Sequence, residues 1–349
     1  MKKIAFLAAV AATLCTVACM VSCNKNDVPE TPVPDQEIPA QNAEDEDLCE
    51  LTVRVNMGEV KTKMVGDLPS NLTSSIYDIQ VLVFRPDGYL DAFGATHSNW
   101  ENGELELEKT VKCSKGEREV YVLLNCPDLS AVGTKTEFLA SSATLYDEYA
   151  KYHQFIGSDE VSLPAESAVN IEVHRIAARV VIDKITRAFT VSAYANATFT
   201  VKKIYLTNVV GSINYGGDTP GTWYNKRSHT GGVNGIMDNL NAAILNNESY
   251  ETRHFFQAFP NPTEEDSTSS TWCPRHTRLV VEAQLGNDTF YYPITLPVLE
   301  SNKSYEITEL ILTRIGSTDP DQPVSIQDCS FEFTIKDWST VEVTDGTTI

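Results

Sequence analysis

The chain has 349 residues, long enough for two domains of ordinary size. Its 42% apolar content is that of a globular protein able to bury sizeable cores. Lys and Arg number 27 against 48 Asp and Glu, a net charge of −21 that excludes nucleic acid as an expected partner and disfavours anionic membrane surfaces.

The first segment, "MKKIAFLAAVAATLCTVACMVSC", has Lys2 and Lys3, then an interrupted apolar run, then small residues before a cysteine. It reads as a secretory signal peptide, 1–22, and is too short for a spanning helix. The ending "MVSC" has the form of a bacterial lipobox, which makes Cys23 the expected acylated first residue of the mature chain; Cys19, after "TVA", is the competing position. Residues 23–49 are rich in Pro and acid and nearly free of large apolar side chains. Such a stretch cannot bury enough surface to order itself and is expected to be a tether.

Folded sequence is expected from residue 50. In "LTVRVNM" (51–57), Leu51, Val53, Val55 and Met57 alternate with polar residues, as in a half-buried strand. "GEVKTKMVGD" follows at once, with Lys61 and Lys63 among small and flexible residues, and reads as an accessible joint. "IYDIQVLVF" (76–84) ends in the turn signal "RPDG", and "ELELEKTVK" (104–112) turns through "CSKG" into "EREVYVLLN". The segment 136–153 carries Phe138, Leu145, Tyr149 and Tyr152 at helical spacing and is expected to be one short helix. "VNIEVHRIAARVVIDKI" (169–185) is a long β-rich run, and a domain boundary is placed near Arg175.

Further strands are expected in 199–209, 278–285, 289–296, 304–315 and 329–338. Between the first two, residues 211–249 are rich in Gly, Asn and Ser and read as long loops with a short helix in 233–245. Many strands, frequent turn signals and few helices define a mostly β chain of antiparallel β-sandwiches, one over 50–175 and one over 176–349.

No string carries convincing catalytic chemistry, and the chain is not expected to be an enzyme. Cys273 and His276 in "WCPRH" lack the second cysteine of a redox motif and the ligand pair of a zinc site. Glu264, Glu265 and Asp266 read as a solvated loop, and His174 as a strand histidine. No P-loop, dinucleotide fingerprint or nucleophile elbow occurs, so neither a cofactor nor a metal is expected. Trp100, Trp223, Tyr224 and Trp272 are the residues from which a surface glycan-binding lipoprotein would build a sugar platform, although scattered aromatics are more often packing. Cys49, Cys113, Cys126, Cys273 and Cys329 follow the signal, an odd set; Cys113 and Cys126 flank an extended strand of about 30 Å and are not expected to pair.

The two ends of the folded region match each other. In the tail, 325–349, Phe331, Phe333 and Ile335 alternate with polar residues and Val341 and Val343 resume the pattern, after a hinge-like "GSTDPDQP". Burying the four apolar residues of 51–57 contributes about 6–12 kcal/mol gross, and burying the five of the tail about 7–15 kcal/mol. Since these ranges overlap, a neighbour's tail displaces the first strand only if that strand is first removed covalently. A protease acting at Lys61 or Lys63 does this.

At these residues the chain resembles the FimA-type major fimbrillins of Bacteroidales. "CNKND" is similar to the lipidated start, "VKTKMVGD" to the processing site and "DIQVLVFRPDG" to the first mature strand. "CSKGEREVYVLLNCPD" and "VHRIAARVVI" are similar to N-domain and inter-domain strands, and "SNKSYEITELIL" with "DPDQPVSIQDCSFEFTIKDW" to the closing hairpin and tail. The resemblance implies two transthyretin-like domains in tandem, with a short helix in the first, and export as an outer-membrane lipoprotein. It also implies cleavage by a trypsin-like protease, loss of the first strand, and polymerisation into a surface fimbrium by C-terminal strand addition between neighbouring subunits, with accessory subunits as further partners. Carried over, the scissile bond is Lys63–Met64, with Lys61 the alternative; the chain has Lys where better-known members have Arg. A fimbrial anchor or accessory subunit that stays lipidated is the alternative role.

Overall fold

A computed structural model describes residues 47–57, 76–97, 107–150, 153–217, 221–224, 236–266, 273–322 and 329–338, all within one unit, Asp45–Ile349. The first half is a sandwich of two sheets. One has three strands in the order β4 (Glu108–Ser114), β1 (Leu48–Asn56), β8 (Ala168–Glu172). The other has five, in the order β3 (Leu90–His97), β2 (Asp78–Phe84), β5 (Gly116–Leu124), β7 (Phe155–Leu163), β9 (His174–Arg175). Leu51, Val53, Val111, Val169 and Ile171 from the first sheet meet Ile79, Val81, Val83, Val120, Val122 and Phe155 from the second in one apolar cluster.

The other face of the five-stranded sheet is also covered. Leu82, Phe84 and Leu123 join a second cluster with Phe138 of α1 (Lys135–Ala140) and Leu145 of α2 (Leu145–Ala150). Burial on both faces explains why β2 is a continuous apolar run rather than an alternating one.

The second half is built on two more sheets. A six-stranded sheet contains β10 (Ala178–Ile182), β11 (Ile185–Arg187), β17 (Ser249–Tyr250), β18 (His254–Ala258), β21 (Lys303–Leu312) and β22 (Cys329–Asp337). A four-stranded sheet runs β16 (Met237–Ala243), β12 (Phe199–Thr207), β19 (Arg278–Leu285), β20 (Asp288–Thr295). Their inner faces, including Val180, Phe256, Ile307, Ile204, Val281 and Ile294, share the second apolar cluster. Two short ladders, β6 (Ser142–Thr144) with β14 (Ser212–Asn214) and β13 (Val209–Val210) with β15 (Trp223–Tyr224), and the one-turn α3 (Ser192–Ala195) complete the described elements.

The mostly β architecture matches the sequence reading, with four corrections. The helix expected over 136–153 is two helices, because Ser142–Thr144 pair as a strand with Ser212–Asn214. Thr134 and Glu137 form a capping box that starts α1, and Ser141 closes it by hydrogen bonding to Glu137 and Phe138 carbonyls. The helix expected in 233–245 is instead the edge strand β16: Leu240 and Ala242 turn inward and Asn239 and Asn241 outward, at period two. The stretch 211–249, read as long loops, contributes to four ladders. The sheets are not purely antiparallel, since β1 runs parallel to β8, and β10 and β11 parallel to β21.

The long run 169–185 changes partners as it goes. It serves β1 through β8, β7 through β9, and β21 through β10 and β11. Gly157 of β7 is what lets β8 lie close: an added Cβ would meet the Glu172 backbone and the Ile171 side chain, the latter at 3.0 Å. Gly157→Ala is expected to destabilise the first sandwich by about 1–3 kcal/mol, read as a lower urea midpoint at unchanged slope.

Candidate functional site

The site is the first strand and the gap it fills. β1 is the middle strand of its sheet, paired antiparallel with β4 from Leu48↔Ser114 to Arg54↔Glu108 and parallel with β8 from Thr52↔Ala168 to Asn56↔Glu172. Further backbone bonds hold its ends: Lys115 N–H to Asp47 O at 3.2 Å, Val55 N–H to Leu107 O at 2.9 Å, and Val173 N–H to Asn56 O at 2.9 Å. The alternation expected from the sequence holds. Leu51 and Val53 are fully buried, Val55 and Met57 are half-buried against the same cluster, and Leu48, Glu50, Arg54 and Asn56 face outward.

Leu51 and Val53 together contribute about 3–6 kcal/mol gross. This is less than the sequence estimate, because β1 tapers toward the sandwich rim and only its centre is covered. The outward face adds little. Arg54 Nε lies 2.7 Å from Glu108 Oε2, but both side chains are about half exposed, and such pairs are worth about 0–1 kcal/mol. The strand starts at Leu48, earlier than side-chain alternation implies, because its first residues are held by backbone pairing to β4. Cys23, Lys61, Lys63, Met64, Val341 and Val343 lie outside the described residues.

The strand at the other end, β22, pairs only with β21 among the described residues and forms the edge of the six-stranded sheet. Phe331, Phe333 and Ile335 share one face as expected, yet Phe331 is 38% and Ile335 53% exposed. Phe333 is half-buried against the second cluster, so the apolar row is only partly covered by its own chain. β22 is anchored at its ends by Cys329 and Trp338, both buried. The Trp338 ring lies 4.8 Å from the Arg175 guanidinium, 5.5 Å from that of Arg179, and edge-on to His153 at 5.2 Å. Lys336 Nζ adds an ion pair to Glu306 at 2.9 Å, a carboxylate also held by Arg179 at 3.0 Å. Trp338 falls where the tail's alternation pauses between Ile335 and Val341, and an indole closing a strand is the signal the sequence offers for it.

Asp266, read as solvated with Glu264 and Glu265, is instead tied down. Arg278, fully buried, contacts Asp266 and reaches Asp321 at 2.6 Å, while Arg275 meets the other Asp321 oxygen at 2.9 Å. Asn208, at φ 54, adds a 2.9 Å bond to Asp321. Burial opposes ionisation of Asp266, but the His276 N–H and the two guanidiniums prevail and hold its carboxyl below the usual range. This network fastens three loops at one end of the second sandwich.

Cys273 and His276 lie in that loop region; His276 Nε2 is 2.9 Å from the Glu264 carbonyl. Among the described residues no group of three or more His, Cys, Asp and Glu could hold a metal. His174 is exposed on β9. Trp223 and Tyr224 form a ladder with Val210 and Val209 and pack on the second cluster, while Trp100 and Trp272 fall outside the described residues. Cys113 lies in the cluster beneath β1 and Cys126 in the other.

This two-sandwich arrangement has solved counterparts. The fold is similar to that of a fimbrilin (FimA) from Porphyromonas gingivalis W83, with TM-score 0.60 and 15% identity over 83% of this chain and 97% of that one. It is similar to a candidate cell adhesion protein from Bacteroides eggerthii DSM 20697, with TM-score 0.59 and 18% identity over 84% of this chain and 96% of that one. A further candidate cell adhesion protein, from Parabacteroides distasonis ATCC 8503, has TM-score 0.57 and 16% identity over 83% and 96%. No family model matches the chain, and no curated protein matches it. Its structural neighbours are thus fimbrillin-type and cell-adhesion proteins, and none of the three is named as an enzyme.

Proposed function

We infer that this chain is a non-enzymatic structural subunit of a surface fimbrium. It is exported as an outer-membrane lipoprotein through Cys23, cut after Lys63 or Lys61 by a trypsin-like protease, and polymerised when a neighbour's tail enters the space that β1 leaves. The two sandwiches, 50–175 and 176–349, are then its transthyretin-like domains.

The observation that carries this reading is the position of β1 between β4 and β8. Losing a central strand opens a slot about 9–10 Å wide between two unpaired edges. Its floor is the apolar cluster that Leu51 and Val53 now cover. An alternating strand restores the main-chain bonds and fills the side-chain sites, which is strand addition. The partly exposed row Phe331, Phe333 and Ile335 supports the donor role, since it offers apolar surface for a neighbour to cover; exchange must also release the buried Cys329 and Trp338.

N-terminal sequencing and mass measurement of the assembled form test the reading. Mature protein is expected to begin at Met64. Intact acylated Cys23 in the polymer would overturn the shaft role and favour an anchor or accessory subunit.

A further inference from the structure

β1 and β4 place two cysteines opposite each other. Cys49 pairs with Cys113 in the antiparallel register. Both lie on the inward face: Cys113 is 1% exposed and Cys49 is half-buried. The Cys49 thiol sits 3.5 Å from the Cys113 carbonyl oxygen. The bonds from Lys115 N–H to Asp47 O and from Val55 N–H to Leu107 O set the phase of the ladder. Counting by twos from either makes Cys49 and Cys113 a hydrogen-bonded pair, with Cα atoms about 5.5 Å apart. That lies within the roughly 4.4–6.8 Å range that disulfides span.

We propose that Cys49 and Cys113 form a reversible disulfide that fastens β1 to β4 and makes release of the first strand depend on reduction. The chain carries an export signal, and disulfides persist outside the cytosol. The oxidant is a disulfide-bearing molecule. The thiolate of Cys49, the more accessible partner, attacks one sulfur of the oxidant and expels the other as a thiolate. Cys113, after losing its proton, then attacks the Cys49 sulfur and expels the second thiolate. Two protein thiols give up two protons and two electrons, and the oxidant's disulfide is reduced to two thiols. Burial pushes the Cys113 thiol up to about 12, and the neighbouring Cys49 adds to this. Cys113 is therefore the resolving partner, which acts only on a sulfur already held beside it.

The consequence for the subunit rests on the proposed cleavage. A cut after Lys63 separates β1 from the rest of the chain in sequence, but with the bridge in place β1 stays attached through β4. The slot remains filled until a reductant arrives. Thiol exchange reverses the bridge, because a reductant thiolate can reach the half-exposed Cys49 sulfur.

The test uses the full chain with glutathione disulfide as the oxidant probe, followed by thiol alkylation and non-reducing peptide mapping. A peptide pair joining Cys49 to Cys113 is expected, lost on dithiothreitol treatment and absent from Cys49→Ser. This substitution is at the half-buried member, so the fold is kept; circular dichroism checks it. Recovery of both cysteines as alkylated thiols would overturn the proposal, whatever happens at Lys63. In a second arm the oxidised chain is cut with trypsin and run on gels. The β1 fragment is expected to stay attached without reductant and to separate with it. Separation without reductant from chains shown to be bridged would overturn the switch. Failure to cut at either lysine, with the bridge mapped, would count against the proposed cleavage alone.

Discussion

Replacing Lys61 and Lys63 together by alanine is expected to abolish assembly while leaving the monomer as stable as the parent. The double variant, exposed to limited trypsin, should stay monomeric by size-exclusion chromatography, while the parent shifts to multimers. The size of this effect follows from the geometry of β1. Under the proposed strand addition, its exchange for a neighbour's strand is close to neutral in contacts, since one alternating strand replaces another in the slot between β4 and β8. The resident strand is also covalently tethered, which gives it a high effective concentration that a free tail at ordinary protein concentration does not match. In the reduced chain, cutting the tether turns β1 into a short peptide that competes on equal terms and is lost by dilution. The reading fails if the double variant polymerises as well as the parent. Single variants apportion the cut: if Lys63 is the site, Lys63→Ala alone blocks assembly and Lys61→Ala does not.

Arg278→Ala should be the most damaging single substitution outside the apolar clusters. The side chain is fully buried between Asp266 and Asp321, so its loss leaves the buried Asp321 carboxylate to Arg275 and Asn208 and takes from Asp266 its buried partner. Breaking a buried pair in this way costs about 3–5 kcal/mol. The loss is expected at pH 7 as a lower urea midpoint, and it should shrink in acid. Asp266 has a folded pKa below its ordinary value of 3.8, so the stability it contributes is fully present above that value. It is withdrawn as pH falls through the folded pKa, when the carboxyl protonates and no longer needs Arg278. The stability gap between parent and variant should therefore be full above about pH 4 and begin to narrow below it, as pH falls toward the lower folded pKa of Asp266. A gap that is constant from pH 3 to pH 7 would rule out the carboxylates as the cause.

How far the sequence could be read differed with how local each feature is. β1 and β22 were legible because a strand with one apolar face writes a period of two into its own residues; burial follows that period in β1 but not along the edge strand β22. β2 was legible as a strand from its apolar run and flanking turn. The segment 136–153 was misread because Phe138, Leu145 and Tyr149 fit a helix by spacing, while Ser142–Thr144 are drawn into a ladder with residues about 70 positions later. β16 failed for the same reason, as its pairing with β12 overrides a short run that includes Leu240, Ala242 and Ala243. Asp266 was read as solvated because nothing in "PTEEDSTSS" announces that Arg275 and Arg278 will fold back on it.

By itself the sequence determined that the chain is acidic, mostly β, and bounded by an alternating strand near each end of its folded region. These properties depend on composition and short-range period, which every stretch carries without reference to the rest of the chain. Only the tertiary structure decided that β1 is a central strand with one antiparallel and one parallel neighbour. It alone leaves the Phe331 and Ile335 face partly open to solvent and sets Cys49 opposite Cys113. Each of these is a choice of partner and register between segments far apart in sequence. Backbone hydrogen bonds alone accept many partners and registers, since nearly every residue carries the same donor and acceptor; the choice falls to which side chains share a buried face once the sheets assemble, and no single stretch records that.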